Sequence, residues 1–325
     1  MALEYIVIVF LIISIIISFG IGANDETMAP LFGSRILNMK QILILAAIFA
    51  ITGALFLGEG VAKSIGDEIL LLPSGINPNA VVMTILISTA IVLILSSALG
   101  LPISSTHATI GGIIGLGLLL GGIDGVNWST ILVMSIWWLA SPIVGFTVTY
   151  GVVKLLNKQK VKSFKGFKDY ERSENLYSYI ILIIICVTAF SRAGNDSSNS
   201  VGIVVGVGGD INIIWLLIIT GLGLASGIIV LGRIVIKNLG KMTELRPSTA
   251  FAVQVPTAAV MLIGTIQKIP LSGSHLLVAS FVGLSKASNI PMQKGLWKII
   301  AIWLLTFPIA AILSIILYFP INFLI

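Results

Sequence analysis

Charged residues are scarce in this chain of 325 residues, where 19 Lys and Arg and 13 Asp and Glu make up 10% of the sequence. A soluble domain carries roughly 25% charge, so the composition excludes a soluble protein of this size. Hydrophobic residues reach 57%, and several apolar runs approach the roughly 20 residues that a helix needs to cross a bilayer. The sequence therefore predicts an all-α integral membrane protein. Its net charge of +6 is too small for a folded basic face, so we expect no nucleic acid partner.

Residues that carry enzymatic and metal chemistry are also scarce. Cys186 is the single cysteine, which excludes a disulfide within the chain and a cysteine metal cluster. His107 and His275 are the only histidines, and they lack the further nitrogen or sulfur ligands of a zinc site. The sequence offers no convincing nucleophile–base pair and no nucleotide-binding loop. We therefore expect neither an enzyme nor an ATP-driven pump, and no cofactor other than a coupling ion.

The chain contains an internal duplication. Three motifs recur in the same order, with offsets of 171, 168 and 166 residues. They are Gly22-Ala23-Asn24-Asp25 with Ala193-Gly194-Asn195-Asp196, Leu101 to His107 with Ile269 to His275, and Trp137 to Pro142 with Trp303 to Pro308. Polar residues repeated within apolar sequence indicate a shared site where two membrane repeats meet. We predict an N-terminal repeat over 1–155 and a C-terminal repeat over 177–325.

The segment between the repeats, 156–176, is the most hydrophilic part of the chain and is rich in lysine. The positive-inside tendency places this basic connector in the cytoplasm, with anionic lipid as a further contact. The ends of the chain are almost uncharged, which favours both ends outside and two inverted-topology repeats. Residues 1–19 lack a basic start and a cleavage site, so we expect a retained first helix. The short, glycine-interrupted segments that start at 103 and 274 predict a broken or re-entrant helical hairpin in each repeat.

The Asn-Asp motifs indicate a cation site. An ionised carboxylate inside a bilayer costs several kcal/mol unless a cation or hydrogen bonds compensate it. The neighbouring glycines would let the helix unwind and expose its backbone carbonyls. These carbonyls and the side-chain oxygens of the motifs would suit Na⁺ or a proton. The predicted cation ligands are Asn24, Asp25, Asn195 and Asp196. The alternative is that each Asn-Asp pair caps a helix.

The Pro-x-Ser stretches indicate an anion site. Proline suits the start of a helix, where free N–H groups and the partial positive charge of the helix attract an anion. Two such helix starts facing each other would hold a tetrahedral oxyanion, although ordinary capping would use the same residues. The predicted substrate-binding residues are Ser104, Ser105, Thr106, Ser272, Gly273 and Ser274.

Other polar residues near these motifs have open roles. His107 and His275 would either contact the anion, take a proton, or brace the hairpins through a hydrogen bond. Arg192 has no evident carboxylate partner in the sequence and would either contact the anion or lie at the membrane edge. Glu26 would be either a second cation ligand or a group facing a wet vestibule.

The doubled Asn-Asp and Pro-x-Ser-x-(Thr/Ser)-His motifs resemble those of the inorganic phosphate transporter family, in both halves of the chain. Gly33-Ser34-Arg35 and Gly240 to Leu245 are similar too. The resemblance implies a secondary active transporter in the plasma membrane that imports inorganic phosphate with Na⁺ or H⁺, as a homodimer. It also implies cation ligands at the two Asn-Asp pairs and phosphate donors at the two hairpins.

Some positions depart from the family pattern. Glu26 stands where small residues are usual, whereas the second motif keeps the further Asn at Asn199. Ala50, Val82 and Gln254 stand where acidic residues are frequent. Fewer acids leave the coupling ion open between Na⁺ and H⁺. They also leave a sulfate or other oxyanion permease as an alternative. A passive anion channel, which would conduct without cation dependence, is a further alternative from a different class.

Overall fold

The computed structural model describes residues 2–163, 166–207, 212–291 and 296–325. In the first half of the chain, the helices are α1 Ala2–Ala23, α2 Ala29–Gly33, α3 Met39–Glu68, α4 Pro78–Ala98, α5 Ser105–Gly121 and α6 Trp128–Ser163. In the second half, they are α7 Phe167–Val207, α8 Ile213–Gly227, α9 Arg233–Gly240, α10 Pro247–Ile266, α11 Gly273–Ser288 and α12 Leu296–Leu324. A π-helical turn, Ile228–Gly232, joins α8 to α9, and a 3₁₀ turn, Gly122–Gly125, follows α5.

The prediction of an all-α membrane protein is confirmed. The described residues contain 8 helices that are long and apolar enough to cross a membrane. The described part of the chain contains one isolated bridge, between Leu70 and Val126, and no strand. Large apolar side chains such as Phe56 and Leu304 are more than two-thirds exposed, as expected of helix faces that lie against lipid.

Each half contains a helical hairpin, α4 with α5 and α10 with α11, and the two hairpins turn in the same way. The residues Gly100 and Lys268 both adopt a left-handed conformation, with φ of 67° and 62°. In each turn the amide of the following residue bonds back to a carbonyl in the last turn of the first helix, Leu101 to Ser96 and Ile269 to Gly264. A left-handed residue at this place closes a helix and reverses the chain. Lysine has a steric cost there that glycine does not.

The two halves interlock. The helix α1 packs against α8 of the other half, and α3 packs against α7 in the equivalent way. Glycines allow these close approaches, because a Cβ on Gly53 would lie 2.2 Å from the Phe190 carbonyl oxygen, and one on Gly227 would lie 2.0 Å from that of Phe19. The pairs α5 with α12 and α11 with α6 are matched in the same manner. The helices of both halves therefore form one packed body. The predicted repeat boundaries stay a prediction, because the packing does not separate the halves into two domains.

The hairpins open toward opposite ends of α3. The open end of the first hairpin lies beside the C-terminal end of α3, where the Leu71 N–H donates to the Gly125 carbonyl. The open end of the second hairpin lies beside the N-terminal end of α3, where Asn38, Arg246 and Asn289 line one cavity. This second end also holds the start of α7, because Arg246 lies over the Tyr170 ring. We call it the connector end. The arrangement agrees with the predicted inverted topology, which stays a prediction.

Helices extend into the predicted connector 156–176, of which residues 164 and 165 lie outside the described part. The helix α6 runs to Ser163 and α7 begins at Phe167. Glu174 is buried rather than solvated, and its carboxylate accepts hydrogen bonds from the backbone N–H and the hydroxyl of Ser248, at the start of α10. A carboxylate at a helix start is favourable because the N–H groups there have no partner within the helix.

Candidate functional site

The two motif asparagines clamp the hairpin turns. The Asn24 amide donates to the Leu101 carbonyl at 3.0 Å and accepts from the Ile103 N–H at 2.8 Å. Asn195 does the same in the other hairpin, with the Ile269 carbonyl at 2.8 Å and the Leu271 N–H at 2.9 Å. Each side chain thus holds the backbone on both sides of the hairpin proline. The cation-ligand role predicted for Asn24 and Asn195 would use the remaining lone pair of each amide oxygen.

The two Asn-Asp motifs differ in backbone. The helix α1 ends at Ala23, just before its motif, and Asp25 accepts hydrogen bonds from the N–H and hydroxyl of Thr27. The second motif lies inside α7, which continues without a break to Val207. The expectation that glycines unwind the helix at both motifs is therefore wrong for the second. The neighbouring Gly194 instead permits close packing, since a Cβ there would lie 2.5 Å from Leu57.

The starts of α5 and α11 meet each other. Ser104 and Ser272 are the N-caps, accepting from the N–H groups of His107 and His275 at 3.1 and 3.4 Å. Each tip also bonds to the other hairpin. The Thr106 hydroxyl donates to the Leu271 carbonyl at 2.9 Å, and the Ser274 hydroxyl donates to the Ile103 carbonyl at 3.0 Å. The capping alternative is thus correct for the serine immediately before each helix. It does not account for Thr106 and Ser274, which join the tips of the two hairpins.

Three carboxylates surround the buried Arg192 beside these tips. The guanidinium donates from Nε to Asp196 at 3.1 Å and from one terminal nitrogen to Glu26 at 2.9 Å, and the same nitrogen lies 3.7 Å from Asp25. Its other terminal nitrogen donates to the Ser274 hydroxyl at 3.3 Å. Arg192 is only 4% exposed and Glu26 is fully buried. Arg192 therefore has carboxylate partners in the structure, although none was evident in the sequence. We call Asp25, Glu26, Arg192 and Asp196 the charged cluster.

Residues of the first hairpin also contact the charged cluster. The Ser105 hydroxyl donates to Asp196 at 3.0 Å. Asn199, one turn further along α7, lies within 3.4 Å of the Ser105 hydroxyl and 3.5 Å of the Thr106 hydroxyl. The structure thus brings the predicted anion donors and the predicted cation ligands into one place.

Gly273 and Glu26 adjoin the guanidinium of Arg192 in two different ways. A Cβ on Gly273 would lie 2.7 Å from Nε and 2.8 Å from Cζ of Arg192, so the guanidinium occupies the space that a larger residue would fill. One oxygen of Glu26, Oε2, is buried and has no hydrogen-bond partner among the described residues. A buried carboxylate oxygen without a partner is costly, which makes it a candidate place for a cation or a proton.

The histidines meet behind the hairpin tips. The rings of His107 and His275 lie 4.5 Å apart at 79°, and Trp138 and Trp303 flank them at 4.6 and 4.2 Å. The indoles donate to the hairpin prolines, Trp138 to the Pro270 carbonyl and Trp303 to the Pro102 carbonyl, both at 3.1 Å. The tryptophan equivalent to Trp303 is therefore Trp138 rather than Trp137. Within the described part of the chain, the Nε2 atoms of both histidines are buried without a partner, and this arrangement suits bracing by ring packing.

Gln254 lies on α10 and is fully buried. Neither its amide nitrogen nor its amide oxygen has a hydrogen-bond partner in the described ranges. No described contact links it to the charged cluster. Its predicted supporting role stays a prediction.

A cavity of about 410 Å³ approaches the second hairpin from the end opposite the connector end. It is lined by Ser64 and Glu68 of α3, Ser129 of α6, and Lys268 to Pro270 in the hairpin turn. A larger cavity of about 1190 Å³ opens at the connector end, between the start of α3 and Lys241 to Arg246. Its lining reaches Gly33 of α2, a short helix that follows the Asp25-Glu26 loop.

Known proteins of similar sequence and structure are named as phosphate transporters. A solved structure described as "The sodium-dependent phosphate transporter" superposes with a TM-score of 0.85 at 24% identity, covering 99% of this chain and 100% of that one. A Pyrococcus furiosus protein named "Putative phosphate permease" is 26% identical over 97% of this chain and 96% of its own length. An Arabidopsis thaliana protein, "Inorganic phosphate transporter 2-1, chloroplastic", is 24% identical over 92% of this chain and 69% of its own length.

The profile of the phosphate transporter family matches residues 21–314, which include both Asn-Asp motifs, both hairpins and the charged cluster. This match also agrees with a multi-pass membrane protein that transports rather than one that catalyses a reaction. The chain belongs to the phosphate transporter family.

Proposed function

We propose that this protein imports inorganic phosphate across the plasma membrane, driven by Na⁺ or H⁺, through alternating access. Phosphate transport is the activity that the family indicates. The observation that carries the proposal is the meeting of two helix starts, at Ser105 and Gly273, directly beside a largely buried cluster of three carboxylates and one arginine. Coupled transport requires that cation binding and anion binding change each other's affinity, and contact between the two sets of groups provides a direct route for this.

Phosphate would bind between the hairpin tips. The starts of α5 and α11 each present backbone N–H groups and partial positive charge, which favour an anion. Thr106 and Ser274 now donate across the interface to backbone carbonyls. Bound phosphate would take over these hydroxyls, with Ser104, Ser105, Ser272 and the Gly273 backbone around it.

The coupling cation would bind at the carboxylates. The charged cluster has three acids and one arginine, so it is negative when all four groups are ionised. An anion entering beside this excess negative charge is repelled unless cations enter as well. Asp25 and Asp196 supply hard oxygen ligands, and Asn24 and Asn195 add amide oxygens at the hairpin turns. Cation and anion would in this way bind best together.

Alternating access would involve the two cavities. One reaches the second hairpin turn at Ile269 and Pro270, and the other lies at the connector end near α2. A cytoplasmic connector would make the first cavity face outward and the second inward. Movement of one hairpin relative to the other would break the contacts of Thr106 and Ser274 and open the site to one cavity at a time.

The test is uptake of radiolabelled phosphate into proteoliposomes that contain the purified protein. We expect phosphate to accumulate above its outside concentration when a Na⁺ gradient or a proton gradient is imposed, and not when ionophores dissipate both. Excess sulfate should compete weakly. Accumulation of sulfate in preference to phosphate would refute the substrate, and conductance without any cation dependence would refute coupled transport in favour of an anion channel.

Matched variants distinguish the proposed cation ligands from the proposed phosphate ligands. Asp196→Asn should weaken cation-dependent uptake strongly, whereas Thr106→Ala should raise the phosphate half-saturation more than it alters the cation dependence. Asp124→Asn, in the exposed 3₁₀ turn, is a control that loses the same charge far from the site. Equal uptake by Asp25→Asn, Asp196→Asn and this control would refute the cation assignment.

A further inference from the structure

Carboxylates enclose the guanidinium of Arg192 as they would enclose a bound cation. The guanidinium is buried at 4% exposure, each of its three nitrogens has a partner, and those partners include one acid from its own helix and two from the loop after α1. Three oxygens of different carboxylates lie within 3.7 Å of its nitrogens. A positive charge in contact with several carboxylates does what a bound monovalent cation would do in the same place.

Three of the positions at which the two halves of the chain differ meet at this guanidinium. With the offset that relates Asn24 to Asn195, the counterpart of Arg192 is Ile21 and that of Glu26 is Ser197. With the offset that relates His107 to His275, the counterpart of Gly273 is Ser105. The arginine, the acid that pairs with it at 2.9 Å, and the glycine that leaves room for it are thus places where the halves differ.

The three differences depend on each other physically. A serine at 273, like that at 105, would place its Cβ 2.7 Å from Nε of Arg192 and displace the guanidinium. Without Arg192, Glu26 would be a fully buried carboxylate with no positive charge within hydrogen-bond reach among the described residues. Without Glu26, the guanidinium would lose its shortest contact to a carboxylate.

We propose that Arg192 is a resident cation, which permanently occupies one cation position of the charged cluster. The number of external cations taken up with each phosphate is then set by the net charge of the four residues. This inference rests on the proposed cation-coupled transport and concerns how many cations are coupled rather than whether coupling occurs. It assigns Arg192 to charge compensation and not to a contact with the phosphate.

Charge variants test this proposal, because each changes the net charge of the cluster by a known amount. Arg192→Gln makes the cluster more negative by one and should require one more external cation. Glu26→Gln makes it less negative by one and should require one fewer. The double variant Arg192→Gln/Glu26→Gln restores the original net charge, and Arg192→Lys keeps it, so both should resemble the wild type.

The measurement is phosphate uptake into proteoliposomes over a series of Na⁺ concentrations, and over a pH series if protons drive the wild type. The slope of log phosphate half-saturation against log cation concentration reports the number of coupled cations by linkage. We expect this slope to steepen by about one unit in Arg192→Gln, so that a tenfold drop in cation costs a further tenfold in phosphate half-saturation. It should become shallower by about one unit in Glu26→Gln.

Two other results would overturn the proposal. An unchanged slope in Arg192→Gln with a raised phosphate half-saturation at every cation concentration would make Arg192 an anion ligand. A double variant that deviates further from the wild type than either single variant would show that charge is not what matters. For variants that fold but do not transport, the same slope is measured by equilibrium binding of phosphate to the purified protein. If Arg192→Gln does not fold, the opposite shift expected in Glu26→Gln decides.

The wild-type measurement distinguishes failure of this inference from failure of the proposed function. Wild-type uptake that ignores both Na⁺ and pH would remove cation coupling itself, whatever the variants do. Wild-type uptake that depends on a cation, together with slopes that are equal in all variants, would leave the coupled transport standing and remove the resident cation alone.

Discussion

The clamps made by Asn24 and Asn195 lead to a prediction that the duplicated fold can check against itself. Replacing Asn195 by alanine removes two hydrogen bonds to the second hairpin turn, at 2.8 and 2.9 Å, and leaves the Ile269 carbonyl and the Leu271 N–H without this partner. Side-chain hydrogen bonds in membrane proteins contribute about 0.6 kcal/mol on average and up to about 1.7 kcal/mol. The two bonds together should therefore stabilise the closed turn by about 1 to 3 kcal/mol.

Hydrogen–deuterium exchange measures this local opening. A loss of about 1 to 3 kcal/mol corresponds to exchange about 5- to 150-fold faster at the released amide. We expect faster exchange in peptides covering residues 267–275 of Asn195→Ala, and unchanged exchange in those covering 99–107. Asn24→Ala should show the reverse pattern, since it clamps the first turn at Leu101 and Ile103. Each variant is thus the control for the other.

Exchange that is unchanged in both turns, combined with a loss of cation-dependent uptake, would contradict this prediction. The asparagines would then act as cation ligands alone, and the bonds to the hairpin backbone would contribute little. Equal acceleration in both turns for a single variant would also count against separate clamps, because it would indicate general loosening rather than release of one clamp.

Three further predictions concern the residues around the hairpin tips. Gly273→Ala should lower phosphate uptake by about tenfold or more, since a Cβ would lie 2.7 Å from Arg192, whereas Ser105→Ala should be milder; equal uptake in both would contradict the packing. Trp303→Phe should destabilise the protein by about 1 kcal/mol through loss of the bond to Pro102, with the same loss for Trp138→Phe, in detergent unfolding. Lys268→Gly should stabilise it by up to about 1 kcal/mol, because the residue has a φ of 62°, and a loss of stability would contradict this.

The sequence predicted the membrane class, the two hairpins and the residues at their tips, because duplication marks polar residues that a bilayer would otherwise exclude. The helix starts at Ser105 and Gly273 follow directly from proline and serine at the preceding positions. The structure brings the two starts together, with Thr106 and Ser274 each bonded to the backbone of the opposite hairpin.

The charged cluster was predicted only in part. Arg192 and Asp196 are four residues apart on one helix, a spacing that brings side chains together, so this pair was visible in the sequence and was missed. Glu26 comes from the other half of the chain, and its contact with Arg192 depends on how α1 and α7 pack. No local pattern reports that packing.

The roles of the asparagines and the path of α7 were also beyond the sequence. A glycine beside Asn-Asp fits an unwound helix and fits close helix packing equally well, and Gly194 is used for packing. An Asn amide suits a cation and also suits a backbone clamp. Which one applies depends on the carbonyl and N–H groups that the hairpin turn presents to it.

We infer above that the tips of both hairpins form a single phosphate site beside the charged cluster. The most direct test is a crystal structure of the protein soaked with arsenate, a tetrahedral analogue of phosphate whose arsenic atom is located by anomalous scattering. We expect one anomalous peak between residues 104–106 and residues 272–274, with Thr106 and Ser274 released from the opposite backbone. A peak in either end cavity alone, with the two tips still hydrogen-bonded to each other, would contradict it.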